Sequence, residues 1–259
     1  MSDDVVDPYR DIRMTVLEHL GELRTRVMKA LVAFAVGFAI SWTWVEQLFV
    51  LLQRPLQEAA PEAALAQMHH KDLSEPFFVL LKTAMFGGLF LAIPVILYQL
   101  WQFIAPGLYP NEKKAVLPFV ALSYLFFIIG SAFAFIFVLP KGYEFLLNFS
   151  ADISQPELMM SEYLAITTKM LIGFGAIFQL PVVSMFLSQI GVLTHRHLIK
   201  FWRYSVVLSF VIAALLTPPD VVTQVLMALP LCILYFLSIG IAWYFTTRRE
   251  RKAALAETE

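Results

Sequence analysis

The sequence predicts an all-α integral membrane protein: six transmembrane helices in a cupped bundle, with both termini in the cytoplasm. Three observations predict it. Of the 259 residues, 59% are hydrophobic and only 15% charged, whereas a soluble domain carries about a quarter charged residues. The charged residues fall in short blocks between apolar runs too long to hide in one water-soluble core of this size. The basic residues also concentrate on alternate connections between those runs, the bias that orients membrane helices.

A helix needs about 20 apolar residues to cross roughly 30 Å of hydrocarbon. Apolar runs at 27–48, 76–104, 115–140 and 161–190 meet that length, so each predicts a span. A shorter fifth run, 201–216, is followed by Thr217-Pro218-Pro219-Asp220 and a sixth at 222–246. These two read as short crossing helices, and a re-entrant pair is the alternative. Residues 14–26 place Met14, Leu17, Leu20 and Leu23 at three-residue steps, the pattern of an amphipathic helix lying on the membrane surface. The expected organisation is therefore a cytoplasmic N-terminal segment (1–26), a six-helix transmembrane domain (27–246) and a charged tail (247–259). Pro94, Pro118, Pro140, Pro181 and Pro230 lie in or near the spans, where each removes a backbone donor and kinks its helix. Kinked helices suit a cupped bundle.

Orientation follows from lysine and arginine. Arg10, Arg13, Arg24, Arg26, Lys29, Lys113, Lys114, Arg196, Lys200, Arg203, Arg248, Arg249, Arg251 and Lys252 fall on one side. Arg54, Lys71 and Lys141 fall on the other, while Lys82 and Lys169 lie within spans. The start is acidic and lacks the composition of a cleaved secretory signal or an organellar transit segment. The first apolar run therefore reads as a retained helix, and a bacterial cytoplasmic (inner) membrane is expected.

Chemistry-bearing constellations are sparse. The histidines, His19, His69, His70, His195 and His197, fall in expected loops or surface positions and lack a third ligand at metal-binding spacing. No serine sits in a nucleophile elbow and no acid pair lies inside a span, so no catalytic residue, cofactor or metal is expected. Nor does a broad basic face suggest nucleic acid. Ionisable and polar groups within apolar runs are candidate functional positions. Lys82 and Lys169 lie about two turns from the non-cytoplasmic end and read as snorkelling to that interface. Gln179 lies deeper, beside Pro181, placed either to satisfy a carbonyl that the proline frees or to bond a neighbouring helix. A small-solute transporter would need facing ionisable groups at mid-membrane, and these three residues are its only foothold.

Five segments in order resemble TatC, the multi-spanning core of the twin-arginine protein translocase. They are HLGELRTR near the N-terminus, SEPFF at the second span, and PVILYQLWQFIAPGLYPNEKK leading into the first cytoplasmic loop. FGAIFQLPVV in the fourth span and LLTPPDVVTQ between the last two complete the set. The resemblance implies recognition of paired-arginine signal peptides at the cytoplasmic face and export of folded cargo proteins. It implies that Glu22 and Glu112 receive the arginines, that Leu20, Arg24, Phe103, Pro106, Leu108 and Tyr109 shape the surrounding surface, and that Lys113 flanks it. It also implies single-span TatA and TatB partners around Thr217, Asp220 and Gln224, within a homo- or hetero-oligomer in the lipid bilayer. Gln179 departs from the family's pattern, which has a glutamate there. An amide accepts a hydrogen bond but does not titrate near neutral pH.

Arginine suits that task because its planar fork gives two parallel bonds to one carboxylate. Two partly buried charge-assisted contacts supply about 3–6 kcal/mol before ordering costs. The apolar stretch of a signal, at about 25 cal/mol per Å² buried, must supply the rest from a lipid-facing groove beside the early helices.

Overall fold

The computed structural model describes residues 16–59, 68–69, 72–104, 116–151, 158–217 and 220–256. They are helical apart from the short connections and two paired two-residue strands. Helix α1 runs Val16–Thr43, followed by α2 (Val45–Leu52) and α3 (Arg54–Ala59). Next come α4 (Glu75–Ile104), α5 (Val116–Phe133), a π-helical turn (Ala134–Val138) and α6 (Leu139–Ala151). Helices α7 (Met160–Ile177), α8 (Leu180–Gln189), α9 (His195–Leu216) and α10 (Val221–Ala256) complete the chain. Five segments are long and apolar enough to cross a membrane: Glu75–Ile104, Leu117–Phe149, Met160–Gln189, His195–Leu216 and Val221–Arg248. Those five are counted among the described residues; the α1–α3 segment, which bends by 86° at Trp44, makes a sixth if the bent pair is one span.

Several boundaries differ from the sequence expectation, each for a local reason. No break separates an interfacial helix at 14–26 from a span starting at 27, because α1 is continuous through both. The first run ends at Thr43 rather than 48. Trp44 N–H bonds back to Ser41 O at 3.2 Å, and the turn lets Val45, Phe49 and Leu52 of α2 bury themselves. The third span continues to Ala151 through the π-helical turn. That turn immediately precedes Pro140, whose ring would clash with the carbonyl of Ile136 in a regular α-helix. The fourth span breaks at Phe178–Gln179, one turn ahead of Pro181 at the start of α8. Helix α9 begins six residues before the fifth apolar run, at His195, and α10 carries the chain beyond 246 to Ala256.

Two helix crossings fix the bundle, both made by glycine. A Cβ on Gly37 of α1 would lie 2.5 Å from Gly88 O of α4, and one on Gly88 would lie 2.6 Å from the Phe38 backbone. Helices α5 and α7 meet the same way: a Cβ on Gly130 would strike Phe178, and one on Gly175 would strike Phe127. Small residues allow this close approach in a membrane, where packing rather than water exclusion drives association. One core cluster gathers Leu56, Val79, Tyr163, Phe174, Met227 and Leu231 from several helices. A second joins α4, α5 and α8 through Trp101, Phe119, Val182 and Phe186. Trp101 Nε1–H donates to Ser123 Oγ at 2.8 Å within it. Strands β1 (Met68–His69) and β2 (Leu158–Met159) pair in parallel, and Ser161 N–H donates to Glu75 Oε1 at 3.2 Å. The connections after α3 and α6 are thus tied together.

Candidate functional site

Because α1 and α4 are antiparallel and pressed together at Gly37 and Gly88, the N-terminal turns of α1 lie against the C-terminal turns of α4. Glu22, His19 and Arg26 share one face of α1 at i−3 and i+4 spacing. Glu22 Oε1 accepts hydrogen bonds from Arg26 Nε at 2.9 Å and from Arg26 Nη2. Arg26 Nη1 donates at 2.7 Å to Oε1 of Gln102 on α4. Gln102 Nε2 in turn donates to Tyr98 OH; because a guanidinium only donates, the amide oxygen is the end that faces Arg26. The His19 ring stacks on Phe103, with centroids 4.2 Å apart and planes 13° from parallel.

The Glu22 and Arg26 side chains are only 18% and 17% exposed. Glu22 Oε2 is buried and accepts no hydrogen bond from the described residues; His19 Nδ1 is 3.7 Å from it. The cationic Arg26 also lies beside the last turn of α4, where the helix dipole favours positive charge. The result is a half-buried carboxylate with one oxygen committed to a guanidinium and the other uncommitted.

Of the residues expected here, Glu22 and Phe103 belong to this cluster. Leu20 and Arg24 are exposed on other faces of α1. Pro106, Leu108, Tyr109, Glu112 and Lys113 lie outside the described residues. The local sequence alone makes Glu22 a solvated charge and His19 a loop or surface histidine. On the helix expected at 14–26 both are instead partnered, Glu22 by Arg26 and His19 by Phe103. Arg26, Gln102 and Tyr98 are members of the cluster that the sequence does not single out. The Glu22–Arg26 spacing is a usable signal, since i,i+4 acid–base pairs face each other on a helix.

A second polar region lies at the α9–α10 turn. Thr217 is buried, and both its N–H and Oγ1 donate to Ala213 O at 2.8 Å. Asp220 caps α10: Oδ1 accepts Thr223 N–H at 2.7 Å, and Oδ2 accepts the Thr223 hydroxyl. Gln224 Nε2 donates to Phe210 O at 3.1 Å. Lys169 of α7, expected to snorkel, donates its Nζ to Leu215 O. Leu215 lies in the last turn of α9, whose final carbonyls have no intrahelical donor, so Lys169 supplies one. Lys82 is exposed on α4.

Gln179 satisfies parts of both readings made for it. Its own N–H bonds Ala176 O at 3.0 Å, which leaves Gly175 O without the usual i+4 donor. The side-chain Nε2 donates to that oxygen at 3.2 Å and to Ser123 O of α5 at 3.0 Å. It therefore repairs the broken helix and bonds a neighbouring one. The carbonyl that Pro181 leaves without an N–H donor is Ile177 O, a different group.

An apolar cavity of about 460 Å³ lies where α1, α2, α4, α5 and the π-helical turn meet. Trp44, Leu48, Phe86, Phe90, Phe135 and Leu171 form much of its wall.

The family model for the Sec-independent protein translocase protein TatC matches residues 18–230 of this chain. The chain belongs to the TatC family. It is 44% identical over 233 residues to the TatC protein of Desulforapulum autotrophicum, covering 90% of this chain and 86% of that one. It is 38% identical over 239 residues to the TatC of Aquifex aeolicus, covering 92% and 98%. A crystal structure of the twin-arginine translocase receptor TatC superposes with a TM-score of 0.79 at 38% identity, over 88% of this chain and 99% of that one. The likeness carried by five sequence segments thus extends over nearly the whole TatC fold.

Proposed function

We propose that this chain is the core subunit of a twin-arginine translocase. It receives paired-arginine signal peptides at Glu22 and Glu112 on the cytoplasmic face and organises export of folded proteins with single-span TatA- and TatB-type partners. The observation that carries this reading is the partly buried Glu22 carboxylate at the α1–α4 junction, with Oε2 accepting no hydrogen bond from the described residues, in a family with a solved member described as a twin-arginine translocase receptor. The protein acts as a receptor and scaffold rather than an enzyme.

The reading includes six spans with both termini cytoplasmic, in a bacterial inner membrane. The bias of fourteen basic residues against three supports that orientation. The apolar cavity supports a division of labour. It meets α1 around Ile40, eighteen residues and therefore about 27 Å along the helix from Glu22. An apolar helix anchored by arginines at Glu22 reaches it once it is about eighteen residues long. The carboxylates then set specificity, and buried apolar area supplies affinity.

Photocrosslinking in native membranes tests this reading. A photoreactive residue beside the arginine pair of a signal peptide is expected to label the neighbourhood of Glu22 and Glu112, and to lose that labelling when the pair is lysine. Glu22→Gln with Glu112→Gln is expected to abolish the distinction. Labelling indifferent to either change would refute the assignment.

A further inference from the structure

The carboxylate assigned to an incoming arginine already holds one. In the free protein, Arg26 presents Nε and Nη2 to the single oxygen Glu22 Oε1, an oxygen that a guanidinium forked across both carboxylate oxygens would also need. Both side chains are more than four-fifths buried. Removing one partner from such a pair leaves an uncompensated buried charge, which is strongly unfavourable. An arriving peptide therefore meets Glu22 with Oε1 occupied and only Oε2 open to it.

We propose that Arg26 is an internal occupant of the arginine site, and that signal docking is an exchange of guanidinium groups at Glu22. This rests on Glu22 being the docking carboxylate. Gln102 makes the exchange feasible: its Oε1 already accepts Arg26 Nη1 at 2.7 Å, so a displaced Arg26 keeps one partner. Tyr98 OH accepts from the Nε2 end of the same amide. The exchange also explains a preference for arginine in terms of bonds made and lost. An incoming guanidinium replaces the two donors that leave Oε1 with an equivalent pair. An ammonium is a compact point charge without the planar fork, so the same exchange is uphill. Arg26 raises the threshold that both must pass. Arginine clears it with help from the rest of the signal, and lysine does not.

A weaker internal competitor should let both kinds of peptide bind more tightly, whereas a purely structural Arg26 predicts the opposite. The test uses the full-length chain with its single-span partners in native membrane vesicles. The probes are two synthetic peptides, one with two consecutive arginines ahead of an apolar stretch and its two-lysine counterpart. Arg26→Lys keeps a charge at i+4 but removes the fork. It is expected to tighten both peptides by about tenfold, the equivalent of one charge-assisted hydrogen bond. Arg26→Gln removes the competing cation without touching Glu22 and should act in the same direction by a larger factor. It carries the test if Arg26→Lys fails to assemble with its partners. Unchanged or weaker binding in these variants, with binding still lost in Glu22→Gln, overturns the exchange and leaves the docking site standing. Native affinity in Glu22→Gln overturns the docking reading itself.

Discussion

At the α1–α4 junction, polar side chains bond one another: Arg26 to Glu22 and Gln102, and Gln102 to Tyr98. At the α9–α10 turn, Thr217, Gln224 and Lys169 donate instead to the main-chain carbonyls of Ala213, Phe210 and Leu215. The difference separates two kinds of site. A side-chain pair can trade one partner for another when a ligand arrives. A side chain bonded to a carbonyl is tied to the helix itself: Ala213 O also accepts the Thr217 N–H and Phe210 O lies inside α9, while Leu215 O in the last turn relies on Lys169. The first arrangement suits a receptor. The second suits a scaffold that presents a fixed shape, and partner helices proposed to bind around Thr217, Asp220 and Gln224 would then read packing rather than recruit those polar groups.

The largest expected effect comes from prising the first region apart. Gly88→Leu puts a side chain where a Cβ alone lies 2.6 Å from the Phe38 backbone, so α1 must move off α4. Overpacking of this kind costs about 1–3 kcal/mol. It should also separate Glu22 and Arg26 from Gln102. Signal-peptide binding should be lost while single-span partners still co-purify. Loss of both together would mean that the two regions are not independent.

Next in size is the loss of the cation at the other region. Lys169→Met leaves Leu215 O without its donor and should lower stability by about 1–3 kcal/mol, read as an earlier thermal transition in detergent. Lys169→Arg should restore it. Partner co-purification should fall in the methionine variant, and peptide affinity should stay within about twofold of native, less than half a kcal/mol. A large drop in peptide binding would show that the turn is coupled to the Glu22 end.

The contrast between the regions also marks what is legible in the sequence. The apolar runs locate α4 and the start of α10 to within one residue, because uninterrupted hydrophobicity over a bilayer's thickness is the mark of a spanning helix and of little else. The 86° bend at Trp44 is not legible. It carries no proline, and what rewards it is the burial of Phe49 and Leu52 against distant helices. Glu22 stands out through its surrounding motif. Its partners do not, since Gln102 and Phe103 lie about eighty residues further on and only the glycine crossing brings them near. Lys169 is conspicuous as a charge in an apolar run. Its role depends on α7 passing the last turn of another helix, where carbonyls lack donors, which no periodicity reports.

The smallest effect sharpens the account of the receptor region by dividing the two things His19 does. Its ring stacks on Phe103, and its Nδ1 stands 3.7 Å from Glu22 Oε2. His19→Phe keeps an aromatic face and removes the nitrogen. A contact of that length is too long for a hydrogen bond, and partly exposed ion pairs contribute about 0–1 kcal/mol, so peptide affinity should change by less than about fivefold. His19→Ala also removes the stack, an interaction of about 0.5–1.5 kcal/mol, and should weaken binding further by loosening the end of α4 that Gln102 and Phe103 occupy. If the two variants behave alike, the stack contributes nothing to docking and the junction is held by Arg26 and Gln102. If only the alanine variant is impaired, the aromatic contact is what keeps the α4 end in register with Glu22.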